Sequence, residues 1–339
     1  MQSNRLAIVD LLRAIAALGV AWFHFTNGSG IIRDGWLYRS GQYGWMGVEM
    51  FFVISGFIIP YSLHRSGYRS SQFGRFLLKR IARLDPPYFA TILLCVLLSY
   101  LVTLAPGFRG EWPHYTWSQL AAHVGYANSF LHLRWVNVVF WSLGIEFQYY
   151  LLIGLAFPML VARNRAIRVV FLGLLLLVSV AVRDESLVFH YLPLFVAGIL
   201  AFQSKAGLIS TRALLVGLLT TTIAGPIACM GIVTALTIRF VEIPSSRLTR
   251  FGAISYSLYL LHVPIGDKIM NLGGRFVQGA AGMVALSVVA LGASVAAAAV
   301  FYRCVELPSQ QLSSSIGYGI RDSESAPGDR RHSSPIPAR

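Results

Sequence analysis

The sequence predicts an all-α, polytopic integral membrane protein, a bundle of about ten transmembrane helices. Of its 339 residues, 55% are hydrophobic and only 12% are charged, whereas soluble domains are about one quarter charged. The mean hydropathy is +0.62. The apolar residues are gathered in runs of about 20, the length that crosses a bilayer as a helix. These three observations exclude an ordinary soluble domain.

Eight of the apolar runs are read as one span each. They cover residues 6–26, 46–63, 86–105, 138–160, 166–182, 187–203, 252–271 and 281–302. A further run, 211–242, is too long for one straight crossing and short for two, and Gly225–Pro226 divides it. If the run forms two short helices, the basic loops all lie on one side of the membrane. Because basic loops are typically cytoplasmic, this arrangement predicts ten spans and cytoplasmic termini. A single crossing gives a nine-span alternative.

The net charge of +14 does not indicate a nucleic-acid partner. The basic residues lie in short loops between apolar runs, where the orientation of the spans accounts for them. Cys95, Cys229 and Cys304 lie in apolar runs and are expected to be inert packing thiols. From residue 309 to 339 the chain is polar and rich in serine and proline, which predicts a disordered cytoplasmic tail.

The first span carries three ionisable residues, Asp10, Arg13 and His24. On a helix with about 100° per residue, Arg13 and His24 are about 20° apart in direction and roughly 16 Å apart in height. Asp10 lies within about 60° of both. Such a stripe cannot face lipid. Ionisable residues inside a membrane span are by default candidates for a functional site.

Other spans place polar residues at the same depth as His24, between mid-membrane and the outer surface. They are Glu49 on span two, Glu146 on span four and His262 on span nine. A histidine held by a carboxylate is a good general base. We therefore expect His24, oriented by Glu49 or Glu146, to form a catalytic site with Arg13, although packing of polar residues between helices is the alternative.

Span nine has a polar stripe of its own. Ser255, Tyr259 and His262 follow one another at i, i+4 and i+7, so they share one helix face. Together with Asp10, they are the residues that we expect to contact a substrate.

The cytoplasmic segment before span three is strongly basic. Arg75, Lys79 and Arg83 recur at i, i+4 and i+8, with Arg80 adjacent. This predicts an amphipathic helix at the interface, and many such helices only anchor to anionic lipid. The alternative is a site for a phosphorylated cofactor, because arginine binds phosphate in a bidentate manner.

The outer segment 106–137 is rich in aromatic rings and histidines. Rings can stack on sugars, but they more often mark the headgroup region. His114, His123 and His132 are nine residues apart, so neighbours on a helix would point in opposite directions. We therefore expect no metal site there, and no cofactor that is bound permanently.

Five segments of the chain resemble the membrane acyltransferase-3 family, whose members are bacterial inner-membrane O-acyltransferases acting on surface and secreted glycans. The resemblance covers about residues 5–308. The segments are DLLRAIAALGVAWFHF, GVEMFFVISGFII, the RxxR of Arg80 and Arg83, WSLGIEFQYYLL and ISYSLYLLHVPI.

The resemblance implies about ten spans, an acyl-CoA donor, an essential first-span histidine (here His24), and roles for Arg13 and the RxxR pair. It predicts an acyltransferase domain over residues 1–308, with phosphates of acetyl-CoA bound by Arg75, Lys79, Arg80 and Arg83. A carbohydrate or lipid-linked glycan would accept the acyl group, with membrane lipid as surroundings. His24 would either deprotonate the acceptor or carry the acyl group. The rival hypothesis is a proton-coupled transporter or channel that uses the same polar stripe.

Overall fold

The computed structural model describes residues 6–28, 30–104, 112–246, 249 and 251–318. Within these ranges the chain forms helices and connecting loops, and no strand occurs, so the all-α prediction is confirmed. Fourteen α-helices, numbered here α1 to α14, follow one another in the described part of the chain. They are Ala7–Phe23, Gly35–Gly41, Gly47–Arg65, Phe73–Thr103, Trp117–Ala122, Phe140–Leu160, Arg165–Ala181, Val188–Lys205, Thr211–Thr220, Ala228–Phe240, Ser255–Leu261, Lys268–Gly273, Gly279–Phe301 and Leu307–Ser315.

Six helical segments in the described chain are long and apolar enough to cross a membrane. They are Ala7–Gly28, Gly35–Arg65, Ser70–Thr103, Phe140–Leu160, Val188–Lys205 and Gly279–Ser315. Helices α7, α9 and α10 are shorter, at 17, 10 and 13 residues. A multi-pass membrane protein is therefore supported, whereas ten as the number of spans stays a prediction.

The run 211–242 is divided as predicted. Helix α9 ends at Thr220, and a short turn containing Gly225 separates it from α10. Gly225 has a φ of +72° and a ψ of −153°, a conformation that L side chains rarely adopt. Two short helices therefore replace the single long one.

The expected separation between an interfacial helix and span three is wrong. Helix α4 runs without interruption from Phe73 to Thr103 and includes Pro86 and Pro87. In membranes, a proline inside a helix is tolerated where neighbouring helices and local adjustment satisfy the backbone groups that it frees. The basic residues therefore form one end of a long apolar helix rather than a separate helix.

Helices α3 and α8 form the centre of the bundle. Their apolar segments are 72% and 78% buried, against 28% for the segments that contain α4 and α13. The two helices cross at Gly56 and Gly198, where a methyl group on either residue would lie 2.3 Å or less from a carbonyl oxygen of the other helix. Small residues that allow such close approach are typical of helix crossings in membranes.

The first residues of the expected tail, from residue 309, are helical. Helix α14 extends from Leu307 to Ser315, and the chain continues to Tyr318 in contact with α4. Side-chain contacts on α4, described below, hold this segment in place. The rest of the expected tail, 319–339, lies outside the described residues.

Candidate active site

A cavity of about 400 Å³ lies between helices α1, α3, α4, α6 and α11, and the segment before α14 completes it. Three guanidinium groups and three carboxylates line this cavity. They belong to Arg13, Arg80, Arg83, Asp10, Glu146 and Glu306. Because the formal charges of these six groups cancel, each buried charge has opposite charges nearby. Of the predicted site residues, this cavity brings together Asp10, Arg13, Arg80, Arg83, Glu146 and Tyr259.

Arg80 and Arg83 point into the cavity rather than outward to lipid headgroups. The guanidinium of Arg80 lies over the rings of Phe76 and Tyr150, 5.3 and 5.7 Å from their centroids. Its Nε is buried and has no hydrogen-bond partner among the described residues. A buried guanidinium donor without a partner is suited to an anionic ligand. The side chains of these two residues therefore face the interior of the bundle.

Arg75 and Lys79 do not line the cavity, and the structure gives them other partners. Lys79 Nζ donates to the carbonyl oxygens of Ser313 and Ile316, at 3.0 and 2.6 Å. Arg75 Nη1 donates to the carbonyl oxygen of Tyr318 at 2.8 Å. A cation at the last carbonyl groups of a helix satisfies them and offsets the helix dipole. These two cations therefore fasten the end of α14, and they lie outside the lining of the cavity.

Neither of the two carboxylates expected to hold His24 has a hydrogen bond to it in the described part of the chain. Glu146 accepts a hydrogen bond from the Ser55 hydroxyl at 2.7 Å. Glu49 is buried, and its Oε2 has no hydrogen-bond partner within the described ranges. Depth along a helix does not fix the direction in which a side chain points, so it does not determine the partner of His24.

The ring next to His24 is that of His262. Their ring centroids are 5.0 Å apart with planes at 56°, and His262 is fully buried. Each histidine is the first residue of a π-helical segment, His24–Gly28 and His262–Asp267. Such segments are rare and are found frequently at functional sites.

Tyr259 connects the histidine pair to the cavity. Its ring lines the cavity and lies 5.8 Å from the ring of His262. Its hydroxyl is 2.6 Å from the Ser142 hydroxyl, which fixes the ring at this end. Ser255, the third member of the predicted stripe, is buried away from the cavity, and its Oγ has no partner in the described part of the chain.

Glu306 is a cavity residue that the sequence did not reveal. It is 2% exposed and accepts hydrogen bonds from the backbone N–H and hydroxyl of Ser257 and from the amide of Gln310. The segment RCVELP around Glu306 nearly repeats the earlier segment RFVEIP, residues 239–244. Glu242 occupies the same position in that earlier segment, and its side chain is 87% exposed. Both copies resemble helix ends, and neither contains a signal that only the second enters the bundle.

The described part of the outer aromatic segment contains one buried histidine. His123 Nδ1 lies 2.7 Å from the carbonyl oxygen of Gln119, and its Nε2 accepts from the N–H of Val136 at 3.2 Å. Burial lowers the pKa of His123, so the ring is neutral near pH 7. His123 is therefore a structural residue, and residues 106–111 of the segment lie outside the described residues. Within those residues, no three metal-ligating side chains are grouped together.

A family model described as an acyltransferase domain matches residues 6–225. This match covers more than half of the chain, so the chain belongs to this acyltransferase family, as its resemblance to membrane acyltransferase-3 proteins predicted. Family membership favours acyl transfer over the transporter alternative.

The chain is also similar to O-acetyltransferase OatA of Staphylococcus aureus, strains NCTC 8325 / PS 47 and COL. It is 26% identical to each over 358 aligned residues, which cover 88% of this chain and 56% of the relative. The chain therefore spans a little over half the length of these relatives. No solved structure matches it.

Gly28 gives a test of how His24 is reached. A Cβ atom at residue 28 would lie 3.1 Å from Nδ1 of His24, and Gly28 itself is exposed. We predict that Gly28→Val lowers kcat/KM for the acceptor by on the order of tenfold to a hundredfold, because displaced reacting groups lose rate steeply. The control is Gly125→Val, since a Cβ atom there meets nothing within 4 Å. Equal rates in the two variants would show that access does not pass Gly28.

Proposed function

We propose that this protein is a membrane O-acyltransferase that moves an acetyl group from acetyl-CoA to a carbohydrate hydroxyl. One observation carries the proposal: a single cavity has the guanidinium groups of Arg80 and Arg83 in its wall and reaches Tyr259, which contacts His262 of the histidine pair. Family membership supports acyl transfer, and the name of the OatA relatives supports the acetyl group.

The cavity has the length and the groups to hold the donor. On α3 its lining runs from Val48 to Ser62, 14 positions or about 21 Å of helix. Arg80 and Arg83 would bind phosphate through charge-assisted hydrogen bonds. The pantetheine arm would then extend past Arg13 towards Tyr259. At that end the rings of Phe51 and Tyr259 pack edge to face with centroids 5.6 Å apart, which would place an apolar wall beside the acyl group.

The acceptor would reach His24 from the opposite end, past Gly28. As a general base, His24 takes the hydroxyl proton while the hydroxyl oxygen bonds to the thioester carbon. The carbon–sulfur bond then breaks and the thiolate leaves. In the covalent alternative, the imidazole nitrogen first takes the acyl group and the acceptor hydroxyl removes it in a second step. Both routes make the same product and require the same histidine.

The same proposal assigns a membrane orientation. Donor phosphates are cytoplasmic, so the Arg80 end of the cavity faces the cytoplasm and His24 lies towards the outer surface of a bacterial inner membrane. Both termini would then be cytoplasmic, in agreement with the positive-inside pattern. The acceptor would be a surface or secreted glycan, or its lipid-linked precursor.

The proposed function is tested by His24→Gln, because glutamine retains hydrogen bonding but can neither act as a base nor carry an acyl group. We predict that transfer of acetyl from labelled acetyl-CoA to glycan falls by about 10²–10⁴-fold at equal protein abundance. His123→Gln serves as the control, since His123 is buried and structural. Transfer at the wild-type rate in His24→Gln would remove His24 from the chemistry.

The donor site is tested by comparing two pairs of basic residues on one helix. We predict that Arg80→Gln with Arg83→Gln raises the KM for acetyl-CoA at least about tenfold, since charge-assisted hydrogen bonds contribute about 1.5–3 kcal/mol each. The matched pair Arg75→Gln with Lys79→Gln should change this KM less than threefold, because these cations bind carbonyl groups of the C-terminal segment. Equal effects of the two pairs would contradict the assignment of the donor site to Arg80 and Arg83 alone.

A further inference from the structure

His262 has one nitrogen with a partner and one without. Its Nδ1 lies 3.1 Å from the carbonyl oxygen of Leu258. A carbonyl oxygen can only accept a hydrogen bond, so Nδ1 carries the proton and, in the neutral ring, Nε2 is an acceptor. This Nε2 is buried and has no partner among the described residues. A buried acceptor of this kind calls for an explanation.

His123 shows what the same arrangement looks like when it is complete. It too is fully buried, with Nδ1 against the carbonyl oxygen four residues earlier, but its Nε2 accepts a hydrogen bond from the N–H of Val136. The two histidines therefore share one tautomer and one local geometry. They differ in what lies at Nε2.

The polar group beside His262 is the ring of His24. At a centroid separation of 5.0 Å, a ring N–H of one imidazole can reach a ring nitrogen of the other with a small rotation. The rings of Phe25 and Tyr259, 6.4 and 5.8 Å from His262, enclose the other sides. Gly28 lies on the Nδ1 side of His24, so Nε2 is the nitrogen left to face His262.

We propose that His262 is the positioning residue for His24, with its bare Nε2 accepting a hydrogen bond from Nε2–H of His24. This fixes the ring of His24 and leaves Nδ1 as the free nitrogen, open towards the acceptor past Gly28. The role expected for Glu49 or Glu146 thus belongs to a neutral imidazole. This inference rests on the proposed function, and it assigns His262 to His24 rather than to the substrate.

The proton balance of the step is simple. The acceptor hydroxyl gives its proton to Nδ1 of His24, and the resulting imidazolium keeps its Nε2–H bonded to His262. His262 gains and loses no proton. In the covalent route, the acyl group replaces the proton as the group that Nδ1 receives, and the hydrogen bond to His262 is again unchanged.

The decisive experiment compares His262→Gln with His262→Leu in purified full-length protein, with His123→Gln as the matched control. Glutamine offers an acceptor oxygen near the position of Nε2, whereas leucine offers none. We predict that kcat falls about hundredfold or more in His262→Leu but less than about tenfold in His262→Gln. The KM for acetyl-CoA should stay within about twofold in both variants, because His262 does not line the donor cavity.

Nitrogen-15 NMR of histidine-labelled wild-type protein provides a second measurement that does not depend on any variant folding. We expect His262 to be protonated at Nδ1 and not at Nε2. A proton on Nε2 would overturn the proposal, as would equal kcat values for His262→Gln and His262→Leu, whether both are active or both are inactive. If His24→Gln retains full activity, the proposed function itself fails; if only the His262 comparison fails, the function stands and the positioning role falls.

Discussion

The parallel packing of α1 against the segment 252–267 is the contact on which the site depends. At one end, a Cβ atom on Gly252 would lie 2.0 Å from the carbonyl oxygen of Asp10, so only glycine allows this approach. At the other end, His262 meets His24. Because the two segments run side by side in the same direction, the acidic and basic residues of α1 face the cavity and its histidine faces the histidine of the other segment.

Charge balance explains why so polar a cavity can exist inside an apolar bundle. A lone charge in the membrane interior is costly, and such residues therefore face the interior of the bundle and pair with one another. Here three guanidinium groups share one cavity with three carboxylates. Glu306 is held rigidly by Ser257 and Gln310, and Glu146 by Ser55. Asp10 and Arg13 of the first span are thus part of one wall of a balanced site, which explains why a membrane helix retains them.

Much of the fold could be predicted because it depends on properties that are local in sequence. Apolar run length predicted the long helices, Gly225–Pro226 predicted the break between α9 and α10, and helical periodicity placed Asp10 and Arg13 on one face. Side-chain partners could not be predicted in this way, since they depend on how each helix is rotated against its neighbours.

The corrections have the same physical origin. Arg75 and Lys79 share a helix with Arg80 and Arg83, but only packing against α14 decides that the first pair binds carbonyl groups. Similarly, Glu306 and Glu242 lie in nearly identical sequences and differ only in whether the chain around them is buried. The two π-helical segments that bring His24 and His262 together have no periodic signal in the sequence.

The central claim is that one cavity leads a donor thioester from Arg80 and Arg83 to the histidine pair. The most direct test is an experimental structure of the protein with a non-reactive acetyl-CoA analogue bound. We predict that phosphate oxygens lie within hydrogen-bond distance of Arg80 and Arg83 and that the acetyl group lies at the Tyr259 end of the cavity. An analogue bound outside this cavity, or with its acetyl group directed away from Tyr259, would contradict the claim.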